Sequence, residues 1–334
     1  MQIAFLSTRA AKPSFRFRVE RMLPYFAARG HRCETFFLAP RLWSRLPLYR
    51  RLGQYDVVFL QKRLLSRPEL SILRRSARTL IYDLDDAVMY EGNGAEDGRR
   101  QRRFAAMLRA ADLVVCGNQF LADEASRVTD RVTIVPTCID TEAYHPRLRR
   151  SEPNRITVGW TGSRSTNSYL NEVLTILSKL HGPIAVKIIS ETVADLDFSL
   201  LGNVPCTFVP WSPLTEIAEA ATFDIGVMPL PDNRFTQGKC GFKALQYMAL
   251  GIPAVCAPVG VNRDIIHDGV DGFLARTRDE WFQIVARLVK DPFLRETIGH
   301  AGRRRVEEAF SLALHGPRLV QAVETARRAL RKSA

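Results

Sequence analysis

Short β-rich runs of four to six residues alternate with helical stretches along the whole chain, and at Ile156 the pattern starts afresh. The first series runs through 2–6, 56–60, 79–84, 112–116 and 132–135; the second through 156–160, 185–189, 206–209, 224–228 and 253–257. Strands that alternate with helices predict parallel β-α-β units with helices on both faces of a sheet. Two such series in 334 residues, more than one core usually supports, predict two Rossmann-like domains. A border at 150/151 follows, with the hinge in the Pro- and charge-rich stretch 136–154, whose Arg147, Arg149 and Arg150 are expected to stay outside a core. One helix is predicted over 15–29, closed by Gly30, and an amphipathic helix over 312–331 ends the sequence.

An apolar fraction of 46% excludes a disordered chain. No stretch offers about 18 uninterrupted apolar residues, and the opening apolar run lacks a basic leader and a cleavage site, so neither secretion nor a membrane span is expected. Six cysteines stand far apart without C-x-x-C spacing or paired histidines. That spacing predicts free thiols in a reducing cytosol and no zinc site. Charge is uneven: residues 1–150 hold 27 Lys and Arg against 16 Asp and Glu, net +11, and the remainder holds 21 against 19, net +2. A basic first domain facing an anionic partner is the consequence.

Open α/β sheets bind ligands beyond the carboxyl ends of their strands. In the second series those ends carry Gly159-Trp160-Thr161-Gly162-Ser163-Arg164, then Pro210-Trp211, the loop 232–241 and the loop 258–262. Free backbone N–H groups at Gly162, Ser163, Gly241, Gly260, Val261 and Asn262, with a helix starting after Gly241, suit a diphosphate. Lys239 and Lys243 flank Gly241 and Arg234 is near, so these three cations are candidates to neutralise it, or else are solvated loop charges. The ligand class is a nucleotide. No G-x-G-x-x-G follows the first strand, which disfavours a dinucleotide oxidoreductase.

In the first half, Arg9, Lys12, Arg16 and Arg18 either hold an anionic acceptor such as a lipid diphosphate or form a solvated face. Asp83-Leu84-Asp85-Asp86 ends a buried run. Asp85 and Asp86 are candidates to orient or deprotonate an acceptor hydroxyl; loop capping and metal binding are the alternatives. Metal binding is the weakest, because the nucleotide signals all lie in the other half. Stretch 41–52 mixes Arg, Trp, Tyr and Leu, as membrane-interfacial helices do and as a helix packed by its leucines also does. No stacking platform or recognition motif points to nucleic acid.

Several of these segments together resemble one family. They are Gly241, the helix 244–250, Gly251-Ile252-Pro253-Ala254-Val255, Pro258-Val259-Gly260-Val261-Asn262, Asp268-Gly269-Val270-Asp271-Gly272-Phe273-Leu274, and upstream Val135-Pro136-Thr137-Cys138-Ile139-Asp140 through Pro146. The chain resembles the retaining glycosyltransferases of family 4, or group 1, whose fold is GT-B. That resemblance implies two Rossmann-like doubly wound domains facing a central cleft, with 312–334 crossing back to the first. It implies transfer of a hexose-type sugar, with retention, from a UDP- or GDP-linked donor to a glycan or lipid-linked acceptor, without metal or other cofactor. A cytoplasmic protein peripheral to the inner membrane face would serve surface polysaccharide or glycolipid synthesis. Donor contacts would fall on Gly162, Ser163, Trp211, Arg234, Gly241, Gln246, Gly260, Val261 and Asn262, and catalysis on Lys239 and Lys243. Family members carry two glutamates eight residues apart, where this chain has Gly238 and Gln246. Gln246 keeps a ribose-hydroxyl acceptor in neutral form, whereas Gly238 has no side chain to offer, leaving Asp232, Asn233 or Gln237 as substitutes. A nucleotide-sugar binder without transfer activity and a nucleotide-sugar epimerase are the alternatives.

Overall fold

In the computed structural model, which describes residues 1–8, 13–152 and 154–332, each series of runs becomes one fully parallel six-stranded sheet. The first consists of β1 (Gln2–Ser7), β2 (Arg32–Phe37), β3 (Val57–Gln61), β4 (Leu80–Leu84), β5 (Leu113–Cys116) and β6 (Val132–Ile134), in the order β2-β1-β3-β4-β5-β6. The chain leaves β1 toward β2 on one side and returns to β3 on the other, so the order reverses between β1 and β3. Every residue of β3 and β4 is buried, the continuous apolar signature of strands covered on both faces.

Two expectations change here. β2 was absent from the predicted runs: it is an edge strand, half solvated, and its Arg32 and Glu34 dilute the apolar signal. The single helix over 15–29 is instead a helix Pro13–Arg18, a 3-10 turn Glu20–Met22 and a helix Leu23–Ala28. Pro24 has no N–H to donate and its ring clashes with a preceding turn, so the helix restarts with proline in its first turn.

The second sheet consists of β7 (Ile156–Thr161), β8 (Ile184–Ser190), β9 (Cys206–Pro210), β10 (Ile225–Met228), β11 (Ala254–Cys256) and β12 (Phe273–Leu274), in the order β12-β11-β10-β7-β8-β9. Its reversal lies between β7 and β10.

Two compact units result. The first comprises Met1–Cys138, Asn233–Cys240 and Leu312–Ala334; the second comprises Ile139–Asp232 and Gly241–Ser311. The sequence set the border at 150/151, whereas the units divide after Cys138. Segment 139–150 joins the second unit through specific bonds: Ile139 N–H donates to Phe310 O at 3.0 Å, and Arg303 donates to Thr141 O at 2.8 Å. Arg149, expected outside a core, is half-buried and donates to Gly251 O at 3.2 Å. The helix Leu312–Lys332 packs Leu319, Val320 and Val323 against Phe15, Val19, Met22 and Phe26 in the first unit. Its Glu324 accepts from Arg29 at 3.2 Å and meets His31 at 2.9 Å. Among the described residues no helix is long and apolar enough to cross a membrane.

Candidate active site

In the second unit the reversal point of the sheet is lined by backbone rather than by charge. β7 runs straight into Thr161-Gly162-Ser163, and the extended backbone of Ser163 opens the helix Arg164–Leu177. Thr166 Oγ1 locks that entry, accepting from Ser163 N–H at 3.3 Å and donating to Ser163 O at 3.1 Å. Gly162 is set by a close approach: a Cβ there would lie 1.9 Å from the ring of Trp160. Across the same strand ends, Gly241 takes a left-handed φ of 65° that opens the helix Phe242–Ala249. Only glycine adopts that conformation without strain, and its first-turn N–H groups then project from the helix start. Lys243, in that first turn, places its ammonium 5.6 Å from the centroid of the Trp160 ring, a cation–π contact.

The loop after β11 completes this edge. Gly260 has φ 53°, and Val261 and Asn262 begin the short helix Asn262–Ile265. A Cβ on Gly241 would stand 3.2 Å from both Asn262 Oδ1 and Val261 Cγ1, so the two loops lie against each other. Asn262 is buried; its Nδ2 donates to Ala257 O at 2.9 Å, while its Oδ1 has no hydrogen-bond partner. An orphaned buried acceptor is costly, and a ligand donor would relieve it.

Gln246 and Trp211 belong to one buried chain of bonds. Gln246 Nε2 donates to Tyr144 Oη at 3.1 Å, Tyr144 Oη donates to Glu216 Oε1 at 2.9 Å, and Trp211 Nε1 donates to Glu216 Oε2 at 2.8 Å. Gln246 is therefore oriented, with its nitrogen committed and its oxygen the group left to accept.

The first unit furnishes its strand ends with charge. Asp83, fully buried in β4, accepts from Arg18 Nε at 3.2 Å and forms an ion pair with the same guanidinium, which also donates to Val135 O at 2.6 Å. Burial opposes the charge of Arg18, but Asp83 outweighs it and raises the guanidinium above its ordinary value. Beyond β4, Asp86 pairs with Lys62 and lies 3.3 Å from Lys239 Nζ. Asp85 Oδ1 lies 3.4 Å from Lys62 Nζ, within ion-pair reach, and takes no hydrogen bond. The two neighbours are thereby driven apart. For Asp85, burial is the largest influence and, with the negative neighbours Asp86 and Asp83, outweighs Lys62, so its carboxyl is held above the usual range. For Asp86, burial pushes the same way, but Lys239 and Lys62 overcome it and hold the carboxyl below that range. Adjacent carboxyls separated in this way are fit for different proton roles. Lys62 also sits at φ 57°, a conformation that costs a non-glycine residue about 1–3 kcal/mol and marks a functional position.

Segment Asn233–Cys240 is the part of the site that the sequence placed elsewhere. Lys239 and Arg234, candidates to neutralise a diphosphate, belong to the first unit and have partners there. Lys239 pairs with Asp86, and its backbone O accepts from Asn118 Nδ2 at 3.0 Å; Arg234 lies 3.6 Å from Glu124 and over the Tyr90 ring. Cys240 Sγ donates to Asp85 O at 3.3 Å. Burial pushes that thiol up to about 12, so it stays neutral. Gly238 has a reason of its own: a Cβ there would stand 2.5 Å from Ala87 Cβ. Asn233 Oδ1 is committed to the N–H groups of Phe235 and Thr236.

Of the remaining expected residues, Arg16 is buried with its guanidinium 5.1 Å from the Phe17 ring, while Arg9 and Lys12 lie outside the described residues. Arg18, a candidate acceptor cation, is buried and paired with Asp83; Lys62 was not singled out, and its signal was a cation directly after a buried strand.

Residues 182–291 match the family Glycosyl transferases group 1. The capsular polysaccharide biosynthesis glycosyltransferase CapM of Staphylococcus aureus is 35% identical over 92 residues, which is 26% of this chain and 23% of CapM. The match with that curated relative thus spans under a quarter of its length. Among solved structures, Anabaena HepE in complex with UDP has a TM-score of 0.73 at 15% identity, covering 97% of this chain and 100% of HepE. Sucrose-phosphate synthase from Thermosynechococcus elongatus has a TM-score of 0.79, also at 15% identity, over 98% and 100%. At those identities the likeness is one of fold. Residues 182–291 thus carry a glycosyl transferases group 1 domain, and the fold of nearly the whole chain is that of the GT-B glycosyltransferases.

Proposed function

We propose that the protein transfers a hexose-type sugar, with retention, from a nucleoside-diphosphate sugar to a glycan or lipid-linked acceptor in surface polysaccharide or glycolipid synthesis. The observation that carries this reading is the backbone-lined edge of the second sheet: Gly162 under Trp160, the helix start at Gly241, the orphaned Asn262 Oδ1, and Lys243. Departure of a diphosphate leaves negative charge that fixed N–H donors and one cation stabilise most when it develops. In this reading Ser163, Gly241, Gly260 and Val261 supply N–H groups, Lys243 supplies charge, and Gln246 Oε1 accepts a ribose hydroxyl beside Trp211. HepE, of the same fold, has been solved with UDP and with UDP-glucose, which favours UDP as the carrier.

On the acceptor side Asp85, whose carboxyl burial holds up, receives the hydroxyl proton, and Lys62 and Lys239 keep Asp86 ionised beside it. No metal is assigned a role in this chemistry. Melting in the presence of UDP, GDP, ADP or dTDP is the test. A nucleotide at about 100 times its Kd adds roughly 2.7 kcal/mol, a shift of a few degrees. Stabilisation by UDP alone fits the reading; no shift with any of the four sinks it.

The stretch 41–52 supports an acceptor met at a membrane surface. Tyr49 and Leu52 are buried and Arg45 is paired with Glu69, so one face packs on the first unit. The other face exposes Arg41, Trp43, Arg50 and Arg51, with Trp43 77% exposed. Reversible docking on anionic lipid follows, each cation adding about 1 kcal/mol. Equal flotation with neutral and anionic liposomes would reject it. A binder without transfer activity is the second reading, favoured by Gly238, which has no room for an acidic side chain; formation of a glycoside product decides against it.

A further inference from the structure

A cavity of about 520 Å³ opens in the first unit at the reversal between β1 and β3, where an open sheet places its ligand. Thr8, Ser14 and Gln61 line it together with Lys62, Arg63, Arg99, Arg100 and Arg103. Gln61 is fixed there, accepting from Ser7 Oγ at 2.7 Å and donating to Ser14 O at 2.7 Å.

Arg100 donates to Val88 O at 3.3 Å and lies 3.7 Å from Asp97, but Arg63, Arg99 and Arg103 have no such structural partner among the described residues. Arg99, Arg100 and Arg103 crowd the start of the helix Gly98–Ala110, the end at which the helix dipole disfavours cations. The one acidic lining residue, Asp97, is committed to capping, accepting the N–H groups of Arg99 at 2.7 Å and Arg100 at 3.1 Å. The guanidiniums of Arg63, Arg99 and Arg103 make no ion pair among the described residues. Half-buried Arg63 is held below its ordinary value by burial first, and then by Arg45, with Arg103 adding to the repulsion. Among the described residues Arg63, Arg99 and Arg103 therefore meet no ion-pair partner, whereas Lys62 and Arg100 have theirs.

We infer that this cavity is an anion subsite of the acceptor, in which Arg63, Arg99 and Arg103 hold a phosphate or carboxylate group. Lys62 links the subsite to the proton-accepting pair, because it lines the cavity while its ammonium pairs with Asp86 and lies 3.4 Å from Asp85. Planar arginine forks match the geometry of either oxyanion. A lipid-linked diphosphate and an acidic sugar would both present such a group. The assignment to the acceptor rests on the function proposed above.

The test is calorimetric titration of the full chain, first saturated with UDP, with inorganic pyrophosphate in one arm and glucuronate in the other. Arg63→Gln/Arg103→Gln is compared with wild type and with Arg287→Gln/Arg304→Gln, which removes two exposed arginines of the second unit. At least one anion is expected to bind wild type and the control alike and to bind the first double variant at least tenfold more weakly, with unchanged melting temperature and UDP affinity. Binding of pyrophosphate alone assigns a phosphate-bearing acceptor, and binding of glucuronate alone an acidic sugar. Absence of anion binding, or an equal loss in both double variants, overturns the subsite. Should UDP fail to bind while anion binding still depends on Arg63 and Arg103, the donor reading falls and the anion site stands.

Discussion

At the carboxyl edge of the first unit's sheet stand Arg18, Lys62, Asp83, Asp85 and Asp86 in mutual ion pairs; at the corresponding edge of the second stand Gly162, Gly241 and Gly260 with a single lysine, Lys243. Both sheets reverse their order at that edge. Equivalent topology therefore delivers equivalent positions, and the loops alone decide what fills them. Desolvated side chains set the chemistry of the first edge by holding protons and charges in place. Backbone N–H groups set that of the second, and glycine is what lets the chain come close enough to present them.

The comparison can be broken first through stability. Asp83→Ala leaves Arg18, 2% exposed, charged and without its carboxylate, and should cost about 3–5 kcal/mol. Asp224→Ala in the second unit orphans Thr157 N–H and Ser151 Oγ, while Arg149 keeps access to solvent, and should cost about 1–3 kcal/mol. Denaturant unfolding of the two variants measures the gap. Equal losses would mean that the buried pair at the carboxyl edge of the first sheet is worth no more than a carboxylate that closes the amino ends of β7 and β10 in the second.

Glycine replacements come next in size. Gly162→Ala drives a methyl into the Trp160 ring, an overpacking that typically costs about 1–3 kcal/mol, and should weaken UDP binding about tenfold. Gly238→Ala meets Ala87 in the first unit and should cost similar stability yet leave UDP affinity unchanged. Calorimetry with UDP separates them; a Gly238→Ala variant that loses UDP would move its segment back to the donor side.

Lys243→Ala should lower kcat/KM about tenfold, the value of one charge-assisted contact of ~1.5 kcal/mol, and steady-state kinetics reads it. The smallest effect sharpens the first edge. Asp85, held up, must lose its proton to act as a base, so kcat/KM should climb as pH rises through its raised value, and Asp85→Asn should remove that limb. Stability carries the opposite signs for the two carboxyls. Asp86, held down, stabilises above the ordinary carboxylate value near ~3.9 and loses that contribution as pH falls. Asp85 contributes fully below that value and loses its share as pH rises, so Asp85→Asn should gain stability relative to wild type toward neutral pH. Melting temperatures across the acid range check both signs.

Much of this molecule was legible in advance because its information is local. Ten of the twelve strands fall on the predicted runs, since covered parallel strands must be apolar throughout. Gly162 and the loop 258–262 could be read as one edge because each follows a strand closely, and Gly241 because it opens the next helix after the loop that leaves β10. Edge strand β2 escaped because half of it faces water. What separation along the chain hides is pairing. Lys239 and Asp86 are 153 residues apart, and no periodicity relates them.

By itself, then, the sequence determined two doubly wound sheets and the glycine-lined loops of the second, because strand, helix and turn propensities act within a few residues. Tertiary structure alone decided that Asn233–Cys240 leaves the second unit for the first and that Lys239 pairs with Asp86. Folding likewise decided that Gly238 has no space for a side chain and that four arginines and a lysine gather round one cavity. Each of these depends on which buried charge and which close approach must be satisfied at once, and only the assembled chain brings those groups within reach of one another.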